Sequence, residues 1–428
     1  MTPAPLLRSE YSTTIRNAHQ LQLVGMNLGA SYTLANDINL TADLAAVSNK
    51  YPGLWRSTGF VPIGRSSPYF SGTFDGLGHT ITGLTIGGSN NRVGLFGVST
   101  GTISNIGIVG GSIAGNGSIG GLVGENQGSI SNSYATATVS GGNAIGGLVG
   151  YNKGPISNSY AAGAVTGSGA GVGGLVGSNQ NLSGVSAVIS NSYATGAVTG
   201  GWDAWYVGGL VGENGSSISN SYASGAVTGG SSTHDNGTNG GLVGKNAGAI
   251  TNSYATGSVA GNRIVGGLVG TNSGTVTSSF WDNQTTGKLT SAGGTGKTTA
   301  QMKELLTFDA TNSANWNIVS DASLSNVYPK LRWATTGLSA GSSVWVIAPP
   351  VTVTYTLAAL SGPYIYNGSS YLLNSLWNST SLFGSNYSSW LAGTDYTFQH
   401  SGSTVTGFTN ANTYSSIGIN ILRSCDRR

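Results

Sequence analysis

The chain has 428 residues, of which 71 are glycine, while charged residues make up only 7% of it. Its 17 basic and 14 acidic residues give a formal charge of +3 without a basic stripe, which argues against nucleic acid as a partner. A hydrophobic content of 38% is enough to build a core and argues against a disordered chain.

Cofactor binding, disulfide bonding and membrane insertion are not expected either. The only cysteine, Cys425, lies almost at the C-terminus, so neither a disulfide framework nor a cysteine-based metal site can form within the chain. No run reaches the roughly 20 apolar residues of a transmembrane segment. Residues 1–10 lack the apolar core of a signal peptide, so we expect any export signal to lie outside this sequence.

The N-terminal segment is predicted to cap the repeats that follow it. Residues 14–28 can form a short amphipathic helix with Ile15, Ala18 and Leu21 on one side. A stack of repeats needs a cover over its open end. We therefore assign residues 1–30 to an N-terminal cap.

The dominant feature of the sequence is a repeat of the form G-G-L-V-G-x-N-x-G-x-I-x-N-S-Y-A-T-G-x-V-x-G. Its leucine recurs every 26 to 35 residues after a degenerate first copy at Leu95, and its aromatic residue follows 12 residues later, or 18 after Leu175. The length varies mainly between the aromatic residue and the next leucine. Insertions tolerated at one point of each repeat mark a loop.

The repeat predicts an all-β fold, a right-handed parallel β-helix over residues 31–285, with the best copies at 119–282. We predict three short strands per coil, each pairing with the next coil at roughly 4.8 Å, so that equivalent residues stack into ladders. The leucines should form a core row, and the asparagines should bond from coil to coil, although asparagine can also bind ions or sugars. The predicted ladders are Leu122, Leu148, Leu175, Leu210, Leu242 and Leu268; Asn126, Asn152, Asn179, Asn214, Asn246 and Asn272; Asn132, Asn158, Asn191, Asn220 and Asn252; and Tyr134, Tyr160, Tyr193, Tyr222, Tyr254 and Phe280.

The chain after the repeats is predicted to close the solenoid and to add a second domain. Residues 286–345 are assigned to a junction and C-terminal cap, with a brief helix at 298–306 and a closing strand at 328–333. Residues 346–428 are richer in Tyr, Ser and Trp and contain alternating stretches. They are predicted to form a small, truncated β-sandwich-like domain.

The G-G-L-V-G-x-N repeat resembles the GLUG motif of filamentous-haemagglutinin-like adhesins of Gram-negative bacteria. Residues 59–64, 74–81 and 293–299 are also similar to flanking segments of that family, and residues 366–421 to its small β domains. The resemblance implies a secreted or outer-surface protein exported by the two-partner route, in which an outer-membrane transporter barrel passes the unfolded chain. The signal peptide and N-terminal secretion domain of that family are not found in this sequence.

A carbohydrate-active enzyme on a β-helix requires clustered carboxylates, which the repeats do not supply. Glu125 and Glu213 share a repeat position but lie about three coils apart, and about 14 Å is too far for a glycosidase pair. Lys245 is expected to pair with Glu213 as a solvated surface contact. We therefore predict no catalytic residues, and the alternative is a carbohydrate-active β-helix or the non-catalytic spacer of a larger surface protease.

Two short motifs imitate ligand sites. Residues 293–298 end like a phosphate-binding loop, but Ser291 stands where that motif needs its first glycine, and no apolar strand precedes it. A turn that enters the helix at Thr298 is expected instead. His234 and Asp235 lie in the longest insertion and are conceivable metal ligands, although a lone loop histidine is usually solvated.

The variable loops are predicted to recognise a partner. Trp202, Trp205 and Tyr206 are the proposed contact residues, because aromatic side chains in a loop have no evident role in the core, although they can also fold back onto the solenoid. We predict a non-enzymatic adhesin segment that attaches to a host or bacterial surface protein or glycan. The loops are residues 180–187, 200–206 and 229–239.

Overall fold

The structure is a computed structural model, and it describes residues 10–45, 55, 58–182, 185–230, 237–261, 263–309, 316–335 and 344–349, with the backbone of four strands between residues 354 and 421. Within these residues the chain is almost entirely β, and its parallel strands wind into a β-helix. The predicted fold class is therefore confirmed. None of the described helices has the length and apolar character that spanning a membrane would need.

Each coil passes through four parallel sheets, which we name A, B, C and D in chain order. One coil runs through Ser129–Ser131 in sheet A, Tyr134–Ala135 in sheet B, Thr138–Gly146 in sheet C and Val149–Asn152 in sheet D. In the first coil of sheet C and in the coils from Val165 onward, the sheet C strand is divided in two by a loop. The prediction of three strands per coil was wrong, because the paired glycines of the repeat make a fourth corner.

The strands of the solenoid and the helices of the described residues have the following bounds. Sheet A contains Thr14–Ile15, Ser31–Leu34, Thr73–Asp75, Thr102–Ser104, Ser129–Ser131, Ile156–Ser157, Ile189–Ser190, Ser217–Ser219, Ala249–Thr251 and Thr275–Thr277, and sheet B contains Ile38–Asn39, Thr80–Thr82, Gly107–Val109, Tyr134–Ala135, Tyr160–Ala161, Tyr193–Ala194, Tyr222–Ala223, Tyr254–Ala255, Phe280–Asp282 and Thr295–Lys297. Sheet C contains Thr85–Ile86, Asn91–Val93, Ser112–Gly120, Thr138–Gly146, Val165–Gly167, Gly171–Gly173, Val198–Gly200, Tyr206–Gly208, Val227–Thr228, Thr238–Gly240, Val259–Ala260 and Ile264–Gly266. Sheet D contains Phe96–Ser99, Val123–Asn126, Val149–Asn152, Val176–Asn179, Val211–Asn214, Val243–Asn246 and Val269–Asn272. The α-helices are Ala18–Leu23, Thr41–Ala45 and Leu305–Asp309, and the 3-10 helices are Val24–Met26, Gln301–Lys303 and Arg332–Ala334.

The paired glycines occupy the corner between sheets C and D. A Cβ atom on Gly146 would lie 2.1 Å from the carbonyl oxygen of Val149, and one on Gly147 would lie 2.3 Å from that of Gly174 in the next coil. Neither position has room for a side chain. The sheet C strand therefore ends here, and the sheet D strand begins two residues later.

The leucine of the repeat lies between these two sheets and points into the core. All six leucines are fully buried, and the backbone N–H of each of the first five donates to the leucine carbonyl of the next coil at 2.8–3.0 Å. Each buried leucine stabilises the fold by about 1.5–3 kcal/mol. The structure thus places in one row Leu122, Leu148, Leu175, Leu210, Leu242 and Leu268.

The N-terminal segment contributes a strand to the solenoid before its helix begins. Thr14–Ile15 pairs with Ser31–Leu34 in sheet A, and the helix is confined to Ala18–Leu23. The side chain of Asn17, whose backbone is extended, accepts a hydrogen bond from the N–H three residues later and caps the helix. The helix predicted over residues 14–28 was therefore too long, because its first residues pair in the sheet.

The end of the solenoid is closed by residues that follow the last repeat. Thr295–Lys297 adds a tenth strand to sheet B by pairing with Phe280–Asp282. The Ser291 hydroxyl oxygen accepts a hydrogen bond from the backbone N–H of Val269 at 2.8 Å, where a further coil would otherwise pair. Within the phosphate-loop-like residues 293–298, Thr295–Lys297 thus forms a strand of the solenoid. The expected turn into a helix follows this strand, and the Thr298 hydroxyl accepts a hydrogen bond from the Gln301 N–H at 3.2 Å.

The chain beyond this strand folds back along the outer face of sheet B. It forms a three-stranded sheet of Ile318–Ser320, Trp345–Ile347 and Lys330–Leu331, preceded by the helix Leu305–Asp309. The predicted helix therefore begins later than residue 298, after a 3-10 turn, and the predicted closing strand is only two residues long.

Farther along the chain, four described strands form an antiparallel sheet. Tyr396–His400 pairs with Ser403–Val405 and with Gly418–Ile421, and the last strand also pairs with Thr354–Thr356. The rest of the predicted β-sandwich lies outside the described residues.

Candidate functional site

A buried ladder of asparagine side chains runs along sheet D. The Nδ2 group of each residue donates to the Oδ1 atom of the next at 2.7 or 2.8 Å, and most of these amides also donate to a backbone carbonyl two residues on. The amides therefore satisfy one another inside the wall, and a structural role fits them better than ligand binding. The row consists of Asn126, Asn152, Asn179, Asn214, Asn246 and Asn272.

The second asparagine row forms the corner between sheets A and B. Its five residues have φ angles of 47° or 48°, in the left-handed region that asparagine tolerates better than most residues. Asn158 donates to the Oδ1 atom of Asn132 at 3.2 Å. The corner conformation explains the recurrence at Asn132, Asn158, Asn191, Asn220 and Asn252.

The tyrosines of sheet B form a stack of parallel rings on the outer face of the solenoid. Neighbouring ring centroids are 4.7–5.0 Å apart, and the ring planes differ by 1–6°. The C-terminal cover lies on this stack: Trp345 contacts Tyr222 and Tyr254, and the Tyr254 hydroxyl donates to the Pro329 carbonyl at 2.6 Å. Burial raises the pKa of these hydroxyls, so they stay protonated. The stack consists of Tyr134, Tyr160, Tyr193, Tyr222 and Tyr254.

Residues 200–206, which we call the tryptophan loop, project from sheet C on a fixed backbone. Trp202 is 62% exposed and Trp205 is 41% exposed, while Ala204 between them is buried. The N–H of Trp205 donates to Gly169 of the preceding coil at 3.3 Å, and its carbonyl accepts from Thr238 of the following coil. The two predicted contact residues are therefore held outward, and do not fold back onto the core.

The third predicted residue, Tyr206, belongs to a mixed cluster beside this loop. Its ring is in edge contact with Trp205, and the Lys245 ammonium lies 4.7 Å from its centroid. Lys245 also pairs with Glu213 at 3.0 Å, and this hydrogen bond raises the pKa of the lysine. Both partners are partly exposed, as expected for a surface pair, and such a pair contributes little to stability.

A second charged cluster, not predicted from the sequence, is centred on Glu125 in sheet D. Arg92 from the preceding coil approaches one carboxylate oxygen at 3.1 Å, and Lys153 from the following coil approaches the other at 2.7 Å. The Glu125 side chain is only 8% exposed, and Gln127 donates to it as well. Burial opposes ionisation, but the hydrogen bonds and charges of these neighbours outweigh it and hold the pKa of Glu125 below its ordinary value.

This cluster forms one wall of an open cavity of about 540 Å³, which we call the corner cavity because it lies where sheets C and D meet. The Tyr151 ring is part of the wall, with the Lys153 ammonium 4.9 Å from its centroid. The lining residues are all polar or glycine: Asn91, Arg92, Asn116, Gly117, Ser118, Glu125, Asn143, Tyr151 and Lys153. The repeat consensus gave no signal for this site, because the consensus leaves most of these positions variable.

The two carboxylates weighed for catalysis are not brought together. Glu125 and Glu213 are separated in register by Tyr151 and Ser178, hence by three coils. Among the described residues, no group of three or more histidine, cysteine, aspartate or glutamate side chains is placed to hold a metal ion. His234 and Asp235 lie outside the described residues.

The comparisons with known proteins fit this architecture. A family model described as the GLUG motif matches residues 115–140 and 203–228, so the chain contains GLUG motifs as predicted. No curated protein sequence matches the chain.

Two solved structures are similar to the chain. One is described as "a putative immunoglobulin A1 protease from Bacteroides ovatus", with 22% identity and a TM-score of 0.50 over 75% of this chain and 92% of that one. The other is described as "IgA1 Protease", with 19% identity and a TM-score of 0.39 over 64% of this chain and 22% of that one. The first likeness supports the fold alone, and neither structure is described as a haemagglutinin.

Proposed function

We propose that the chain is a non-enzymatic segment of a secreted or surface-attached bacterial adhesin, a rigid rod that presents the tryptophan loop to a partner on a host or bacterial surface. The proposal rests on one observation: Trp202 and Trp205 are both exposed, although the backbone of Trp205 is bonded to both neighbouring coils and Gly201, next to Trp202, donates to Gly167 of the preceding coil. An exposed indole held in this way loses little conformational entropy when it binds, which favours its use as a contact residue.

The rod itself is suited to display. Ladders of asparagine, tyrosine and leucine join each coil to the next, so a force or torque on one coil is shared by its neighbours. The loops, by contrast, vary in length without disturbing the ladders. A partner that contacts a loop therefore meets a fixed surface.

A second use of the same rod is as the non-catalytic spacer of a larger surface protease, the class of protein named in the descriptions of both solved structures. The non-enzymatic proposal covers this use as well. It predicts that the isolated chain leaves immunoglobulin A1 intact, as judged by electrophoresis of the heavy chain after prolonged incubation. Specific cleavage would overturn it.

The adhesive role is tested with the double variant Trp202→Ala/Trp205→Ala. We expect binding to host cells or to a glycan array to fall at least tenfold, because exposed tryptophans that act as contact residues each supply about 2 kcal/mol or more. Leu289→Ala is the matched control, since this side chain is 84% exposed elsewhere on the rod. Unchanged binding by the tryptophan variant would reject the loop as the contact site.

We further propose export by the two-partner route through an outer-membrane transporter barrel. The low charge and the single cysteine suit a chain that crosses a membrane unfolded. Deleting the partner transporter should abolish labelling of intact cells by an antibody against the rod, while whole-cell levels persist until proteolysis. Surface labelling that survives the deletion would exclude this route.

A further inference from the structure

We infer that the corner cavity binds an uncharged oligosaccharide, which lies along the solenoid axis. The cavity shares no residue with the tryptophan loop, so this inference stands apart from the adhesive role proposed for that loop. Its volume of about 540 Å³ falls in the range of roughly 300–1,000 Å³ typical of small-molecule sites.

The shape of the cavity favours a chain over a single sugar. Asn91 and Arg92 come from one coil, Asn116 and Glu125 from the next, and Tyr151 from the third. Two coil steps of about 4.8 Å place the ends of the lining roughly 10 Å apart along the axis. A ligand that contacts all three coils must be elongated in that direction.

The lining chemistry favours hydroxyl groups. Asparagine amides both donate and accept hydrogen bonds, as sugar hydroxyls do, and Asn91, Asn116 and Asn143 all border the cavity. The Arg92 guanidinium has five N–H donors, and its contacts to Glu125 and to the Tyr69 hydroxyl engage only two of them. The lining includes no aliphatic side chain, so an apolar ligand would gain little here.

The charge distribution argues against an anionic ligand. Both cations of the cavity, Arg92 and Lys153, already contact the two oxygens of Glu125. A sulfate, phosphate or uronate would have to displace this buried carboxylate or lie beside it, and either arrangement is unfavourable. An uncharged ligand can bond to the pair without separating it.

The polar groups are also held in place before a ligand arrives. Glu125 is fixed from both neighbouring coils, and it in turn fixes Arg92 and Lys153. The Asn143 side-chain oxygen accepts the Ala170 N–H at 3.0 Å. Side chains that are already ordered lose little entropy on binding, which is what a site for a weakly binding sugar requires.

The test uses the full chain and two substitutions taken from the repeat itself. Tyr151→Ser introduces the residue that Ser178 supplies at the same register position, and Arg92→Ser introduces the one that Ser118 supplies, so both should fold. Tyr134→Ser is the matched control, because Tyr134 lies on sheet B at the end of the tyrosine stack. Binding is measured by calorimetry against neutral gluco-, manno- and xylo-oligosaccharides, with oligogalacturonate and heparin fragments as anionic probes.

We expect at least one neutral oligosaccharide of three or more units to bind. Tyr151→Ser and Arg92→Ser should each weaken that binding about tenfold, the loss of about 1.4 kcal/mol of contact free energy, whereas Tyr134→Ser should change it by less than about twofold. The inference is overturned if no neutral probe binds, if the anionic probes bind more tightly, or if the two cavity variants bind as the parent does. Because the double tryptophan variant leaves the cavity intact, it should bind the sugar normally even where cell attachment is lost.

Discussion

The asparagine ladder of sheet D gives the sharpest test of the claim that coil-to-coil bonds hold the solenoid together. The perturbation is Asn152→Ala, in the interior of the ladder. The Asn152 side chain is fully buried, accepts from Asn126 at 2.8 Å, and donates to the Gly154 carbonyl at 2.7 Å and to Asn179 at 2.8 Å. All three hydrogen bonds are lost in the variant.

The magnitude follows from those three bonds. Each bond contributes about 1 kcal/mol net. The variant also leaves the Oδ1 atom of Asn179 without a donor, and a buried acceptor without a partner costs about 1–2 kcal/mol more. The free energy of unfolding should therefore fall by about 4–5 kcal/mol. Asn272→Ala is the control, because this residue ends the ladder. Its Oδ1 atom accepts from Asn246 and from the Gly274 N–H, and its amide donates to the Gly274 carbonyl at 3.3 Å, so it also loses three hydrogen bonds, but the change leaves no further asparagine in the row without its donor.

The assay is equilibrium unfolding in urea, followed by tryptophan fluorescence and far-UV circular dichroism. We expect Asn152→Ala to lose about 1–2 kcal/mol more than Asn272→Ala, the cost of the orphaned acceptor, with little change in the denaturant slope. Equal losses, or a loss below about 1 kcal/mol for Asn152→Ala, would show that the ladder is a by-product of the stacking and does not stabilise it.

Three further predictions concern other parts of the solenoid. Ser99 occupies the position before Asn126 in the ladder, and within the described residues neither the Ser99 hydroxyl nor the Asn126 Oδ1 atom has a hydrogen-bond partner. Ser99→Asn should therefore extend the row and raise the urea midpoint by an amount equivalent to about 1 kcal/mol. Because the folded-state pKa of Glu125 is lowered, its ionisation stabilises the fold above the unfolded pKa of about 4.3, and that contribution disappears as the pH falls through the lower folded value. The stability difference between the parent and Glu125→Gln should therefore shrink between pH 6 and pH 3 in urea titrations. A difference that stays constant over this range would contradict the assignment. Tyr254→Phe removes the hydrogen bond to the Pro329 carbonyl, and should lower stability by about 1 kcal/mol and speed limited proteolysis of the C-terminal cover, whereas Tyr160→Phe should not.

The parts of the fold that the sequence predicts well are those that repeat. Equivalent residues in successive coils pair in register, so the recurrence of Leu122, Asn126 and Tyr134 in the sequence directly reports rows in space. The number of sides per coil was misjudged, because strands of two to four residues carry too little alternation to count them. The corner between sheets C and D depends on steric exclusion at Gly146 and Gly147, which a pattern of residue types does not reveal.

The candidate sites, by contrast, consist of residues that do not recur from one repeat to the next. Trp202 and Trp205 were predictable because an insertion that breaks the repeat and carries two indoles is unusual. The corner cavity was not predictable, because Arg92, Glu125 and Lys153 come from three coils and each occupies a position that the consensus leaves variable. Glu125 was noticed only as half of a catalytic pair, since its true neighbours are set by strand register and side-chain reach.

Both candidate surfaces belong to sheet C and its corner with sheet D, and the reason lies in how the sheet C strand changes along the rod. In Ser112–Gly120 and Thr138–Gly146 the strand is continuous, so its outward side chains stay close to the wall and can line a recess with residues of neighbouring coils. From Val165–Gly167 onward the strand is divided, and the residues between its halves are free to project, as the tryptophan loop does. From Ser112 onward, the continuity of the sheet C strand therefore distinguishes the coils that line the recess from the coil that carries the projecting tryptophan loop, while the ladders on the other sides remain unchanged.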